Sequence, residues 1–135
     1  MFTGKQDENI KFSVLKTIAG FLNSDGGKLI IGYDEKNKRF TGLQEDYNIS
    51  KWADQDGFKK ELWDYLEANI PKKIIDSCID LDFDNIDNKD LAIIDVKRLF
   101  DFPVYIKKNF YIRRKNRTEP LEDPSEADTY RKEHF

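Results

Sequence analysis

The sequence predicts an α+β fold, a mainly antiparallel sheet flanked by about three helices. Three observations predict it. Apolar residues recur at helical spacing in two stretches, and a capped proline start marks a third helix. Short apolar or alternating runs between polar turns read as strands. Strands cluster in the middle of the chain and helices toward its ends, which favours hairpins over a doubly wound sheet. With 135 residues the chain fits one domain, residues 1–135. Ten Phe and six Tyr supply core material although 36% of residues are charged, so disorder is not expected.

The first helix is expected from about Asp7 to Asn23, with Ile10, Val14, Leu15, Ile18, Phe21 and Leu22 on one stripe and Asp7 as N-cap. Asn23-Ser24-Asp25-Gly26-Gly27 closes it, because glycine takes the left-handed conformation of a helix end without a Cβ clash. Lys28–Tyr33 reads as a buried strand and Arg39–Leu43 as its hairpin partner across a polar turn. Gln44–Gln55, with Trp52, reads as a surface loop. A second helix is expected from about Asp56 to Asn69, with Phe58, Leu62, Tyr65, Leu66 and Ile70 inward and Pro71 as its stop.

From Ile75 to Asp84 apolar and polar residues alternate, which predicts a half-exposed strand with aspartates on its wet face. Leu91–Val96 returns antiparallel after a turn at 85–90. Val104–Ile106 and Phe110–Arg113 form another hairpin around Lys107-Lys108-Asn109. Asp123-Pro124-Ser125-Glu126 carries the N-cap, N1 proline and N3 glutamate of a closing helix that runs through Tyr130.

Composition narrows the chemistry. Cys78 and His134 are single, which excludes an internal disulfide and a Cys/His zinc site; a histidine triad is not expected either. His134 is next to the last residue, where chains fray. Chemistry would fall to carboxylates, Lys, Arg, Tyr or a metal held by oxygen. No apolar run approaches membrane-span length and the first residues lack a signal-peptide core, so a cytoplasmic protein without membrane contact is expected. Net charge is −3, yet Lys107, Lys108, Arg113, Arg114, Lys115 and Arg117 stand in one stretch without an acid, while Asp76, Asp80, Asp82, Asp84, Asp87 and Asp90 precede it. Such asymmetry gives an acidic protein a local positive face, or else two solvated strand faces.

The stretch Phe21-Leu22-Asn23-Ser24-Asp25-Gly26-Gly27, followed by an apolar strand and Gly32-Tyr33-Asp34-Glu35, resembles the signature of the Schlafen AlbA-like family. Phe40-Thr41-Gly42-Leu43, Pro103-Val104-Tyr105, Phe110-Tyr111-Ile112-Arg113 and Thr118-Glu119-Pro120-Leu121 agree with it in order and spacing. The family's usual opening strand with Glu-Phe-Lys is missing, as in a fragment or a trimmed branch. Gly-Gly-Lys at 26–28 lacks Walker A spacing, and nothing in the chain supports the nucleotide hydrolysis of the family's older divergent-ATPase label.

The resemblance implies nucleic-acid binding, to DNA first and RNA as the alternative, within a larger bacterial-type regulatory or defence protein such as a transcriptional regulator. Homodimerisation is implied too. The expected contacts are Lys107, Lys108, Tyr111, Arg113, Arg114, Lys115 and Arg117, with Tyr111, Arg113 and Lys115 as an exposed stripe if the Phe110 face packs inward. Asn23, Ser24, Gly26 and Gly27 are expected as a structural turn, with a phosphate-facing turn as the competing reading. Two other readings remain. One is a metal-dependent Schlafen-like endoribonuclease, for which Asp34 and Glu35 are the candidate catalytic carboxylates and a divalent metal the cofactor. The other is an oligomerisation or docking module. For this chain by itself, binding without catalysis, cofactor or resident metal is the leading expectation.

Overall fold

The structure, a computed structural model, describes residues 4–34, 39–40, 55–86 and 88–135, with side chains placed for 11–32, 57–86, 88 and 90–135. Its elements are α1 (Gly4–Leu22), β1 (Gly27–Ile31), β2 (Tyr33–Asp34), β3 (Arg39–Phe40), α2 (Gln55–Asn69), α3 (Lys72–Cys78), β4 (Ile79–Ile86), β5 (Lys89–Val96), β6 (Tyr105–Ile106), β7 (Asn109–Arg114), β8 (Arg117–Pro120) and α4 (Pro124–His134). Every strand pair among them is antiparallel. The fold class is α+β, as expected.

The apolar stripe of α1 behaves as its spacing requires. Val14, Leu15, Ile18, Ala19, Phe21 and Leu22 are buried. Asp7 is not the N-cap, because the helix already begins at Gly4. A capping residue type marks a helix start only to within a turn. At the other end Gly26 takes φ +76° and donates its N–H to the Phe21 carbonyl at 2.9 Å. A Cβ on Gly26 would stand 2.6 Å from the Val96 carbonyl oxygen, and one on Gly27 would stand 2.6 Å from the Phe21 ring. The glycines let the helix end sit directly on β5.

One sheet has the order β1-β5-β4. Its inner face carries Ile79, Ala92, Ile94 and Val96, with Leu29, Ile31, Leu81 and Phe83 packed at the margin. These meet α1, α2 and α3 through Leu15, Leu22, Phe58, Leu62, Leu66 and Ile75. Each such side chain contributes about 1.5–3 kcal/mol on burial. The outer face presents Asp80, Asp82 and Asp84, and Lys28 lies 3.8 Å from Asp95 in the cross-strand register.

Two readings of this region are corrected. The strand expected from Ile75 starts at Ile79, and 72–78 is helix α3 with Pro71 at its N-cap. Alternation and helical spacing compete there. The helix wins because it buries Ile74, Ile75 and Cys78 together. The strand expected over 28–33 is broken by Gly32 at φ +103°, and Tyr33–Asp34 pairs instead with Arg39–Phe40. Residues 41–54 lie outside the described residues; Gln55, read as the end of the loop Gln44–Gln55, is the first residue of α2.

A second sheet has the order β6-β7-β8. The sequence showed only its first hairpin; β8 is an addition. Val104, Ile106 and Tyr111 join the core shared with α1, while Phe110 and Ile112 pack with Leu121, Ala127, Tyr130 and Phe135 from the other side. Thus α1 and α4 cover opposite faces. A Cβ on Gly20 would meet Thr118 Cγ2 at 3.1 Å, so α1 crosses this sheet at close range.

Helix α4 starts as read, with Asp123 accepting from the Ser125 and Glu126 N–H groups at 2.8 and 3.3 Å. Its end is docked rather than frayed. Arg98 donates to the His134 carbonyl at 3.0 Å, and the His134 ring stacks on Tyr130 with centroids 5.1 Å apart. Desolvation by burial, then the Arg98 charge, holds the His134 imidazole below its usual pKa of 6.5; the Asp25 charge and a Ser24 backbone hydrogen bond oppose this.

Candidate nucleic-acid interface

The turn after α1 carries the most specific motif, and its polar groups are spent inside the molecule. Asn23 is fully buried. Its amide Nδ2 donates to the Val104 and Tyr111 carbonyls, both at 2.9 Å, and its Oδ1 accepts from the Val104 N–H at 2.9 Å. Ser24 Oγ accepts from the Arg113 N–H at 2.8 Å and lies 3.1 Å from the Tyr130 hydroxyl. That hydroxyl gives its single proton to the Asn23 carbonyl at 2.6 Å, so Ser24 is the donor of the pair. Asn23, Ser24, Gly26 and Gly27 therefore form a structural turn that ties α1 to β6, β7 and α4. The Asn23 and Ser24 side chains are buried and engaged, so neither is open to a phosphate.

The same ties position the β6–β7 hairpin. Its two-residue tip, Lys107-Lys108, takes φ +48° and +69°. Both signs are positive, as in the turns whose twist suits a tight hairpin and where Asn-Gly is usual. Two lysines there cost about 1–2 kcal/mol each in backbone energy. Both are exposed. The Lys107 ammonium lies 4.5 Å from the Phe12 ring centroid, and the Lys16 ammonium lies 5.0 Å from the same centroid. Lys16 also stands 6.0 Å from the Tyr111 ring. Lys16 and Lys107 thus converge from α1 and the hairpin. Among the described residues neither has an ion-pair partner.

At the far end of β7 lies a second basic group. Arg114 and Lys115 are exposed, and so is Arg117. Glu119 partly neutralises two of them, with its carboxylate 3.3 Å from Arg114 and 3.9 Å from Arg117. Lys115 turns the chain at φ +56°.

Tyr111 and Arg113 do not join an exposed stripe. Tyr111 is 8% exposed. The Arg113 guanidinium lies 5.0 Å over the Phe21 ring and donates to Thr118 Oγ1 at 2.9 Å. The expectation assumed that one face of β7 stays open, whereas α1 and α4 cover both.

Comparison with known proteins agrees with this architecture. The sequence model described as Schlafen, AlbA_2 matches residues 2–122. The chain belongs to the Schlafen AlbA_2 family. The crystal structure of the DIP2311 protein from Corynebacterium diphtheriae is similar in fold, with a TM-score of 0.64 at 17% identity over 99% of this chain. The match spans 24% of that chain. No curated protein matches the chain.

Of the two candidate carboxylates in this Schlafen AlbA_2 chain, only the backbone of Asp34 is described. Asp34 pairs with Arg39 in the β2–β3 ladder, its side chain undescribed, and Glu35 lies outside the described residues. Among the described residues no group of three or more His, Cys, Asp or Glu is placed to hold a metal, and no helix is long and apolar enough to cross a membrane. Sequence reasoning did not single out Lys16. Its one signal was a lysine flanking the apolar stripe, too common to single out.

Proposed function

We propose that this chain is a nucleic-acid-binding domain that grips a phosphate backbone through Lys16, Lys107 and Lys108, and further along β7 through Arg114, Lys115 and Arg117. One observation carries the reading. Two adjacent lysines occupy a positive-φ hairpin tip that they strain, and one of them meets a third lysine, from α1, at the Phe12 ring. Strain retained where Asn-Gly would relieve it points to a functional side chain. The family membership fits the same role.

The spacing suits a polyanion. The two ends of β7 are five residue steps apart, roughly 17 Å at about 3.4 Å per residue. One duplex strand rises about 3.4 Å per nucleotide, so the span covers roughly five phosphates. Asp80, Asp82 and Asp84 of β4 lie on the outer face of the other sheet, and among the described residues Glu119 is the acid that ion-pairs with these cations. Tyr111 and Arg113 then act from inside, by fixing β7 against α1. On this reading the chain is one module of a larger cytoplasmic regulatory or defence protein that acts on DNA.

The test is anisotropy of a labelled DNA at two salt concentrations. About four phosphate contacts give a log–log salt slope near −4. Lys16→Glu with Lys107→Glu should weaken binding at least tenfold and flatten the slope; a double variant that binds like the parent sinks the assignment.

A further inference from the structure

The hairpin tip sends its lysines to opposite sides of the second sheet. Lys107 reaches Phe12 on the α1 side, and Lys108 lines a cleft of about 390 Å³ on the α4 side. Such a volume lies within the range of small-ligand sites. Tyr105, Asn109, Phe110, Glu122 and Arg131 line it too.

Tyr105 sets the character of this cleft. It is directly opposite Phe110 in the β6–β7 register, and the two rings stand 5.7 Å apart at 44°. Phe110 is buried against Tyr130, with the Arg131 guanidinium 5.6 Å from its ring centroid. Tyr105 is backed by this stack but remains 47% exposed. An aromatic ring held firmly, partly open to solvent and bordered by cations is the arrangement on which bases stack in single-strand binders. The charges are asymmetric. Lys108 and Arg131 favour phosphate, although Asp128 already holds Arg131 at 3.3 Å. Glu122 repels phosphate but accepts from an exocyclic amino group.

We infer that this cleft takes an unpaired nucleotide of the bound strand, its base stacked on Tyr105 and its phosphate passed to Lys108 and across the tip to Lys107 and Lys16. The site rests on the nucleic-acid reading above and adds a substrate class to it: single-stranded or locally opened nucleic acid. A base inside an intact duplex has no free face for Tyr105, so a duplex engages only the lysines.

The experiment compares a short labelled single strand with its matching duplex, for the parent chain, Tyr105→Ala and Tyr105→Phe. Tyr105→Ala should weaken single-strand binding about tenfold, the size of one lost base–aromatic stack, and leave duplex binding unchanged. Tyr105→Phe should bind like the parent. A 2-aminopurine in the strand should be quenched by the parent and by Tyr105→Phe but not by Tyr105→Ala. Equal effects of Tyr105→Ala on both forms, or none on either, overturn the cleft and leave the backbone-binding role standing. A parent that binds neither form overturns both.

Discussion

Tyr130 in the closing helix donates its hydroxyl proton to the Asn23 carbonyl at 2.6 Å, joining the last element of the fold to the end of the first. The bond belongs to a directed chain: Arg113 N–H to Ser24 Oγ, Ser24 O–H to Tyr130 Oη, and Tyr130 O–H to Asn23. Each donor and acceptor is used once. The polar motif thereby becomes the joint that sets the β6–β7 hairpin relative to α1.

Truncation of Asn23 should be among the most damaging changes outside the apolar core. Asn23→Ala strands the Val104 N–H and the Val104 and Tyr111 carbonyls in a buried site. At about 1–3 kcal/mol for each orphaned group, the loss is at least about 3 kcal/mol. Tyr130→Phe should cost about 1 kcal/mol. Urea midpoints measure both, and an Asn23→Ala midpoint equal to the parent's would remove the joint from the account.

Relief of the hairpin tip should separate stability from binding. Lys107→Asn with Lys108→Gly places the residues that favour positive φ at the two strained positions. The thermal midpoint should rise, with a net gain of about 1–2 kcal/mol after the entropy cost of the new glycine offsets part of the relieved strain, while affinity for DNA drops. A variant that is stabilised and binds unchanged would show that the tip lysines are incidental.

Glu119 should act as a brake on binding. Its carboxylate lies within 4 Å of both Arg114 and Arg117, and Glu119→Gln removes that competition while keeping shape and hydrogen-bonding capacity. Affinity should rise several-fold at low salt and converge on the parent's at high salt, where exposed charges are screened. No gain at low salt would place this end of β7 outside the interface.

His134 makes the chain sensitive to mild acid. Its folded pKa is lowered from 6.5, so the unfolded chain binds the proton first and stability falls as pH drops below about 6.5 toward the folded value. Above 6.5 both states are neutral and this group contributes no slope. Arg98, Asp25 and Tyr130 surround it, and of these only the Asp25 carboxylate eases protonation. Urea midpoints from about pH 7.5 to 5.5 should fall more steeply for the parent than for His134→Gln; equal slopes would contradict the shift.

Local signals were strong enough to locate most elements. The glycine-closed helix, the Asp123 cap and the hairpin around Lys107-Lys108 each depend on neighbours within a few residues, and each is present. Where two local patterns overlapped, as at Ile74–Cys78, sequence spacing had no means of ranking them, since the outcome rests on which apolar residues the rest of the core can bury.

By itself the sequence determined the fold class, the family motif and the presence of a lysine-tipped hairpin, because propensity, periodicity and turn chemistry act over short distances. Only the tertiary structure decided how those parts are arranged. Alternation shows that β7 has two faces, but the coverage of both by α1 and α4 is what removes Tyr111 and Arg113 from the surface. Charge counting found the cations near 107–117, but chain folding brought Lys16 to Lys107, set Glu119 against two arginines and left Tyr105 open beside Lys108. These are contacts between residues far apart or on separate elements, and their energies depend on distances in space that no spacing along the chain encodes.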